Sequence, residues 1–363
     1  VRTAVVHDWL NGMRGGEKVL EAILDVVPDP TVFTLFHVPG AVSAAIERRP
    51  IRVSRLNALP FARRHYRSYL PLFPAAVEAF DLTGFDLVVS SSHCVAKGAI
   101  APPGVPHLCY CHTPVRYAWD QFDTYFPAGE ALSGPKRALV RRLRDWDRKT
   151  AGRPTRYLAN SSAVAERIRR HYDRDASVCH PPVDVTFFEG DGGPREDFLL
   201  AVGALVPYKR FEWAIEAAAL LARPLVLVGK GPEEARLSAT AAGLSPSRTR
   251  FRTGISAAEL RELYRRCAYF VQPGEEDFGI ASVEAMACGA PVVAFGQGGA
   301  ADIVTDGETG VLYAGEGPGP LADAVRRADA IPFGYTRMRE KAIGFRPERF
   351  AGEFRREIES LLS

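Results

Sequence analysis

The 363-residue chain is short of several features that would decide its class at once. It has no run of 18 apolar residues, so no membrane-spanning helix is expected. It does not open on a charged region followed by a long apolar run, so no secretory leader is expected. Its six cysteines (Cys94, Cys109, Cys111, Cys179, Cys267 and Cys288) are scattered and apolar in setting. They read as reduced core thiols of a cytoplasmic protein, not as a disulfide frame. Cys109-x-Cys111-His112 has the wrong spacing for a zinc knuckle, and no second pair follows, so no metal site is expected. No G-x-G-x-x-G follows a strand, which counts against a dinucleotide fold of the NAD type.

What is present is ordinary in bulk and uneven in detail. Hydrophobic residues make up 47% and charged residues 25%, as in a soluble globular protein, and the length favours two domains or three. The net charge of +3 divides into +7 over residues 1–185 and −4 over residues 186–363. A basic first half suits an anionic partner or a membrane surface, and it equally suits Arg-rich solvated helices. No nucleic-acid partner is expected.

Along the chain, short β-branched runs alternate with amphipathic helices. TAVVH (Thr3–His7) is a buried strand, followed by a glycine turn through Gly12, Gly15 and Gly16 and a helix opening near Glu17. Glycines let a backbone approach a ligand, and the helix start can receive a phosphate. Further strands run into Ser91-Ser92-His93 and into His112. In open α/β sheets ligands bind beyond the carboxyl ends of strands, so His112 is a better candidate than a helical histidine, against a structural role capping the sheet. His93 ranks below it. The stretch from Arg63 to Phe73 mixes basic, aromatic and apolar residues. It fits either a membrane surface or a helix and loop packed at a cleft.

Pro181-Pro182-Val183-Asp184 and Glu189 to Pro194 form the clearest composition break. The βα pattern then restarts, which places one domain over residues 1–185 and a second over 186–346. A final helix over about 347–363 is expected to return to the first domain. Two successive βα arrays each predict a parallel sheet covered by helices.

The second array contains PGEEDFGIASVEAMACGAPVV, Pro273 to Val293. An acidic loop leads into a helix opening at Phe278-Gly279. Cys288-Gly289-Ala290-Pro291 ends that helix. Glu276 and Glu284, eight positions apart, place one acid before the helix and the other about two turns in. Carboxylates beside a helix N-terminus can hold sugar hydroxyls next to an anion, or can simply favour the helix dipole.

E-D-F-G-I-A-S-V-E-A-M-A-C-G-A-P-V-V resembles the Glu-x7-Glu signature of retaining glycosyltransferases of family 4. G-A-L-V-P-Y-K-R, V-G-K-G-P-E, N-S-S and P-P-V-D fall in the order found in that family. M-R-G-G-E-K-V, S-S-S-H-C-V-A-K-G and C-H-T-P-V-R-Y-A-W-D are similar to a branch containing bacterial O-antigen and exopolysaccharide mannosyltransferases. The resemblance implies an α/β fold of the GT-B type, two Rossmann-like domains facing each other across a deep cleft. It implies an acceptor-side first domain and a donor-binding second domain. The implied reaction moves a hexose from a nucleoside diphosphate sugar, with retention of configuration, in cell-surface polysaccharide synthesis. The donor would be GDP-mannose or, second, a UDP-hexose. The acceptor would be a saccharide or a polyprenyl-diphosphate-linked saccharide.

The resemblance also implies roles. Glu284 would accept from the nucleotide ribose, and Glu276 and His112 would face the transferred sugar. N–H groups of Phe278, Gly279 and Ile280 would hold sugar hydroxyls or phosphate. Lys209, with Gly15 and Gly16, would meet the diphosphate, and Gly254 and Ile255 would lie near the base. Two positions depart from the family pattern. Ala204 stands where an Arg is usual, with Arg210 or Arg14 as substitutes, and Asp302 stands where a Glu is usual. No D-x-D follows a strand, so fixed cations would replace a metal, and no cofactor is implied beyond the sugar nucleotide. A catalytically silent sugar-nucleotide module, an epimerase or phosphorylase on this fold, and a Rossmann oxidoreductase are the rival readings. The protein would work in the cytoplasm, at the inner face of the membrane if the basic first domain makes peripheral contact there.

Overall fold

In the computed structural model β1 (Thr3–His7) is fully buried and pairs in parallel with strands on both sides, as a continuous apolar run requires. The structure describes residues 1–115, 118–119, 134–244 and 248–363, leaving aside the side chains of Arg63, Arg64, Pro135 and Lys136. Arg116, Tyr117 and Asp120 of the stretch after His112 lie outside the described residues.

The chain divides into two units, Val1–Pro182 with Glu348–Ser363, and Val183–Pro347. The division falls slightly earlier than the composition break predicts. The reason is visible at Val183. Its N–H donates to the Phe345 carbonyl, and both Val183 and Val185 are buried in the second unit's core.

The first unit is built on β1, β2 (Pro30–Thr34), β3 (Ile51–Val53), β4 (Leu87–Ser92), β5 (His107–Cys111), β6 (Arg156–Ala159) and β7 (Ala176–Val178). Among the described residues these form one parallel sheet in the order β3-β2-β1-β4-β5-β6-β7. The edge strand β3 is absent from the sequence reading. It has three half-exposed or exposed residues with Arg52 in the middle, which gives no apolar pattern to detect. The helix Gly15–Val26 covers one face through Val19, Leu20, Ile23 and Leu24. The final helix, Pro347–Leu362, adds Phe350, Phe354 and Ile358 to the same cluster. Their i, i+4, i+8 spacing puts all three on one stripe. Burial of such side chains contributes roughly 1.5–3 kcal/mol each.

The Arg63–Phe73 stretch folds into short helical turns. Tyr66 and Phe73 are buried against Trp9 and Phe36, with ring centroids 5.1 Å (Trp9–Tyr66) and 5.4 Å (Phe36–Phe73) apart. Phe61 and Leu72 stay exposed.

The second unit is built on β8 (Glu196–Val202), β9 (Leu225–Val228), β10 (Thr249–Arg252), β11 (Cys267–Gln272), β12 (Val292–Phe295) and β13 (Gly310–Tyr313). The order is β10-β9-β8-β11-β12-β13, again parallel. Numbered within each unit, both sheets run 3-2-1-4-5-6, and the first adds a seventh strand at its far edge. In such sheets the strand order reverses beside the first strand, and ligands bind at the carboxyl ends there. The reversal lies between β1 and β4 in the first unit and between β8 and β11 in the second. Among the described residues no helix is long and apolar enough to cross a membrane.

Candidate functional site

In the second unit, the carboxyl ends of β8 and β11 carry the residues that the sequence singles out. After β8 the chain turns through Pro207–Lys209. After β11 it runs through Pro273, Gly274 and the acidic loop to the helix Ile280–Ala287. The two loops touch backbone to backbone. A Cβ on Gly274 would lie against the Tyr208 carbonyl and 2.8 Å from the Lys209 Cα, so only glycine fits. The Tyr313 hydroxyl fixes the same loop by donating to the Pro273 carbonyl at 3.0 Å.

This contact brings the Lys209 ammonium onto the Glu276 carboxylate as an ion pair, both side chains largely shielded. Sixty-seven positions separate the two in sequence, and the switch point of the sheet joins them. The Glu276 carbonyl accepts from the Gly299 N–H at 2.9 Å, so the loop after β12 closes on the other side. Asp302 lies on the short helix Ala300–Ile303 that follows.

Gly279 has φ +107° and caps the helix Ile280–Ala287. The first N–H groups of a helix have no partner within it, so this end is suited to an anion. Glu284 lies on the same helix, buried, and accepts from the Tyr264 hydroxyl at 3.1 Å. Tyr264 is fully buried, and burial together with the Glu284 charge raises its hydroxyl pKa well above the usual value. The tyrosine therefore stays a donor and holds one carboxylate oxygen in place. Nearby, the Ser282 hydroxyl donates to Gln272 Oε1 at 2.6 Å. Phe278 is itself buried in the core, so its backbone is what this loop can offer a ligand.

Gly254 (φ +67°) and Ile255 sit in the turn after β10. There Ser256 and Glu259 form the capping box of the next helix. Arg210 caps the helix Phe211–Leu220, with its guanidinium 5.3 Å over the Trp213 ring and 3.9 Å from Glu212. Ala204 is exposed. The glycines of V-G-K-G-P-E pack on the β8 loop: a Cβ on Gly229 would strike the Gly203 carbonyl, and one on Gly231 the Leu205 backbone.

In the first unit, Gly15 and Gly16 open the first helix. His112, partly exposed, follows β5. His112 belongs to a side-chain cluster that sequence reasoning met only in part. Its Nε2 lies 2.8 Å from the Ser91 hydroxyl, which lies 3.1 Å from His7 Nδ1. His7 Nε2 in turn lies 3.8 Å from the buried Glu17 carboxylate. Asp8 accepts backbone N–H bonds from His93, Cys94, Val95 and Ala96 at 2.7–2.9 Å, and its Oδ2 lies 3.2 Å from His93 Nδ1. One carboxylate thus fixes the whole turn after β4. Burial lowers the pKa of both His93 and His112, His112 well below the usual histidine value. Burial alone would raise Glu17. The neighbouring His7 and His93 outweigh it and keep Glu17 below the ordinary range.

His7, Asp8, Glu17 and Ser91 were not singled out by sequence. The available signal was His7-Asp8 at the carboxyl end of the first strand, the place where His112 drew attention in its own strand. Asn160, from N-S-S, donates to the His112 carbonyl at 2.9 Å, and Ser161 caps the following helix. Asp145-x-Asp147 has a metal-binding spacing but lies within a helix. Asp147 is buried and bonded to Lys97, Trp119 and Tyr172. Among the described residues no His, Cys, Asp and Glu group has the makings of a metal site.

Residues 29–187 match the family model Glycosyltransferase Family 4, and residues 196–328 match Glycosyl transferases group 1. The chain carries glycosyltransferase domains of family 4 and group 1. The group 1 domain holds Lys209, Glu276 and Glu284, and the family 4 domain holds Ser91 and His112. The chain is 32% identical over 216 residues to a D-inositol 3-phosphate glycosyltransferase of Streptomyces bingchenggensis, covering 51% of this chain and 48% of that one. It is 29% identical over 335 residues to one of Frankia alni, covering 81% and 79%. Apart from the Frankia protein, the match spans about half the length of the curated relatives. Sucrose-phosphate synthase from Thermosynechococcus elongatus superposes with a TM-score of 0.74 at 18% identity, over 99% of this chain and 100% of that one. Anabaena Alr3699/HepE in complex with UDP-glucose gives 0.69 at 16%, over 99% and 100%. At these identities the likeness is one of fold, which is GT-B.

Proposed function

We propose that the chain is a retaining, metal-independent hexosyltransferase that uses a nucleoside diphosphate sugar. The observation that carries this reading is the Lys209–Glu276 pair set beside the Gly279-capped helix that also bears Glu284, all at the switch point of one sheet. Glu284, steadied by Tyr264, accepts from the ribose hydroxyls. Lys209 meets the diphosphate, a point charge on a flexible stem. Glu276 and His112 meet the hexose. The N–H groups of Phe278, Gly279 and Ile280 hold hydroxyl or phosphate oxygens. Gly15 and Gly16 approach the diphosphate, Gly254 and Ile255 lie near the base, and Arg210 is a further candidate cation.

In the proposed step the acceptor oxygen bonds to the anomeric carbon and the bond from that carbon to the diphosphate oxygen breaks. The acceptor proton passes to the departing phosphate. Charge grows on the diphosphate, and preorganised cations and N–H groups stabilise it by several kcal/mol.

The first donor is GDP-mannose, on the resemblance of the first half to mannosyltransferases. A UDP-hexose is the second, supported by the fold neighbour solved with UDP-glucose. The acceptor is a saccharide or a lipid-linked saccharide in cell-surface polysaccharide synthesis. The names of the relatives offer a phosphorylated inositol as the alternative. Exposed Phe61 and Leu72, beside the basic first half, support peripheral contact with the inner membrane face.

A panel of GDP- and UDP-sugars, read as thermal shift and donor hydrolysis, selects the donor. Lys209→Ala and Glu284→Ala are each expected to lose transferase activity on the order of 10²-fold or more while remaining folded. Full activity in either variant removes the site assignment.

A further inference from the structure

Four side chains of the first unit stand in a line that ends on His112: Glu17, His7, Ser91 and His112. With His7 neutral, the links share one direction. The Glu17 carboxylate lies 3.8 Å from His7 Nε2, a buried nitrogen with no hydrogen-bond partner among the described residues, and its negative charge favours the proton on that nitrogen. A neutral His7 then presents a lone pair at Nδ1, which accepts from the Ser91 hydroxyl at 3.1 Å. With its proton turned to His7, the Ser91 oxygen accepts from His112 Nε2–H at 2.8 Å. The remaining ring nitrogen of His112, Nδ1, is left with a lone pair.

We infer that Glu17, His7 and Ser91 are positioning residues that fix His112 in the Nε2–H tautomer, so that its Nδ1 recognises a hydroxyl donor. His112 is partly exposed while Glu17, His7 and Ser91 are buried, so water cannot compete for the inner links. The Asn160 amide holds the His112 carbonyl at 2.9 Å and keeps the ring at this strand end. Burial also disfavours the charged imidazolium, so His112 answers as an acceptor and not as a cation. The other charged group at this end, Asp8, is occupied by four backbone N–H groups and His93. The class of ligand group that this selects is a neutral hydroxyl, as on a hexose, in preference to a phosphate or carboxylate oxygen. Its use in transfer rests on the function proposed above. The tautomer does not.

The test is nitrogen NMR on the full chain with 15N-labelled histidine at neutral pH, with His112→Gln used for assignment. His112 is expected as the Nε2–H tautomer in the unaltered protein. Ser91→Ala cuts the chain next to His112 and is expected to give a mixture of tautomers there while His7 stays Nε2–H. Glu17→Gln does not touch His112, yet removes the charge that sets the direction. It is expected to raise the Nδ1–H fraction at His112 several-fold. His112 found as Nδ1–H in the unaltered protein, or unchanged in both variants, overturns the relay. In transfer assays Ser91→Ala is expected to lower kcat/KM for the sugar nucleotide roughly tenfold, the worth of one hydrogen bond. A tautomer that moves without any change in transfer supports the relay and overturns the contact of His112 with the transferred sugar.

Discussion

The two units share a strand order and hold their strand-end loops by different chemistry. In Val1–Pro182 the loops are tied by side chains: Asp8 gathers the turn after β4, Ser91 bridges two histidines, and Asn160 holds the His112 backbone. All eight histidines of the chain lie in this unit, and Val183–Pro347 contains none. In the second unit the loops are tied mainly by close backbone approach, at Gly229, Gly231, Gly274 and Gly299, with the Tyr313 hydroxyl and the Lys209–Glu276 pair as the side-chain ties named above. The difference teaches that one topology can present a ligand with polar side chains at one switch point and with bare backbone at another. Side-chain ties can titrate, whereas backbone ties cannot.

The sharpest way to break this contrast is to add a methyl group on each side of it. Gly274→Ala places a Cβ against the Tyr208 carbonyl and 2.8 Å from the Lys209 Cα. The expected cost is about 3 kcal/mol, at the upper end for overpacking a tight site, together with loss of sugar-nucleotide binding. Gly16→Ala meets only the His7 Cε1, at 3.9 Å, which is ordinary contact. It is expected to leave stability within about 0.5 kcal/mol, as for a surface substitution. Denaturant unfolding of the two variants checks both. Equal losses would show that glycine serves the same purpose in both units.

Acid is the second probe. His93, His107 and His112 all have lowered pKa values, His107 down to about 3, first because of burial. The unfolded chain binds a proton near the usual 6.5, where the folded chain does not, so stability falls as pH drops through that value. Glu17, lowered as well, adds a loss of the same sign at more acid pH, as protonation approaches its folded value. Between pH 7.5 and 6.0 the three histidines together are expected to cost the first unit roughly 2 kcal/mol. The second unit, without histidine, is expected to change little over that range. Amide exchange protection in β5 and in β11, corrected for intrinsic rates, separates the two. Equal loss of protection in both strands would sink the contrast.

Much of this was legible in the sequence, for reasons that differ by element. Apolar β-branched runs such as Thr3–His7 and Val292–Phe295 are buried on both faces, so composition alone marks them. The approach of Lys209 to Glu276 was not derivable from spacing, because it depends on two loops meeting at Gly274. Resemblance named the two residues in separate roles, and the close approach at the glycine explains why they meet. The line from Glu17 to His112 escaped notice because its members come from four different segments. Single polar residues at strand ends show no periodicity. β3 escaped because an exposed edge strand of three residues needs no apolar face.

Tyr264→Phe has a modest expected effect and gives the most direct comparison of how each unit orients its key side chain. His112 is oriented through a line of three residues, whereas Glu284 is oriented by one buried hydroxyl at 3.1 Å. The ring is fully buried and packs edge-on to Phe188 and Phe270, so phenylalanine keeps its shape and its contacts. What is lost is one hydrogen bond to a carboxylate, worth about 1–2 kcal/mol. If Glu284 serves the ribose, that loss falls on ground-state binding: KM for the sugar nucleotide rises about five- to tenfold and kcat stays near its starting value. A fall in kcat at constant KM would instead place Glu284 at the reacting centre. The division of labour between Glu284 and Glu276 would then have to be reversed.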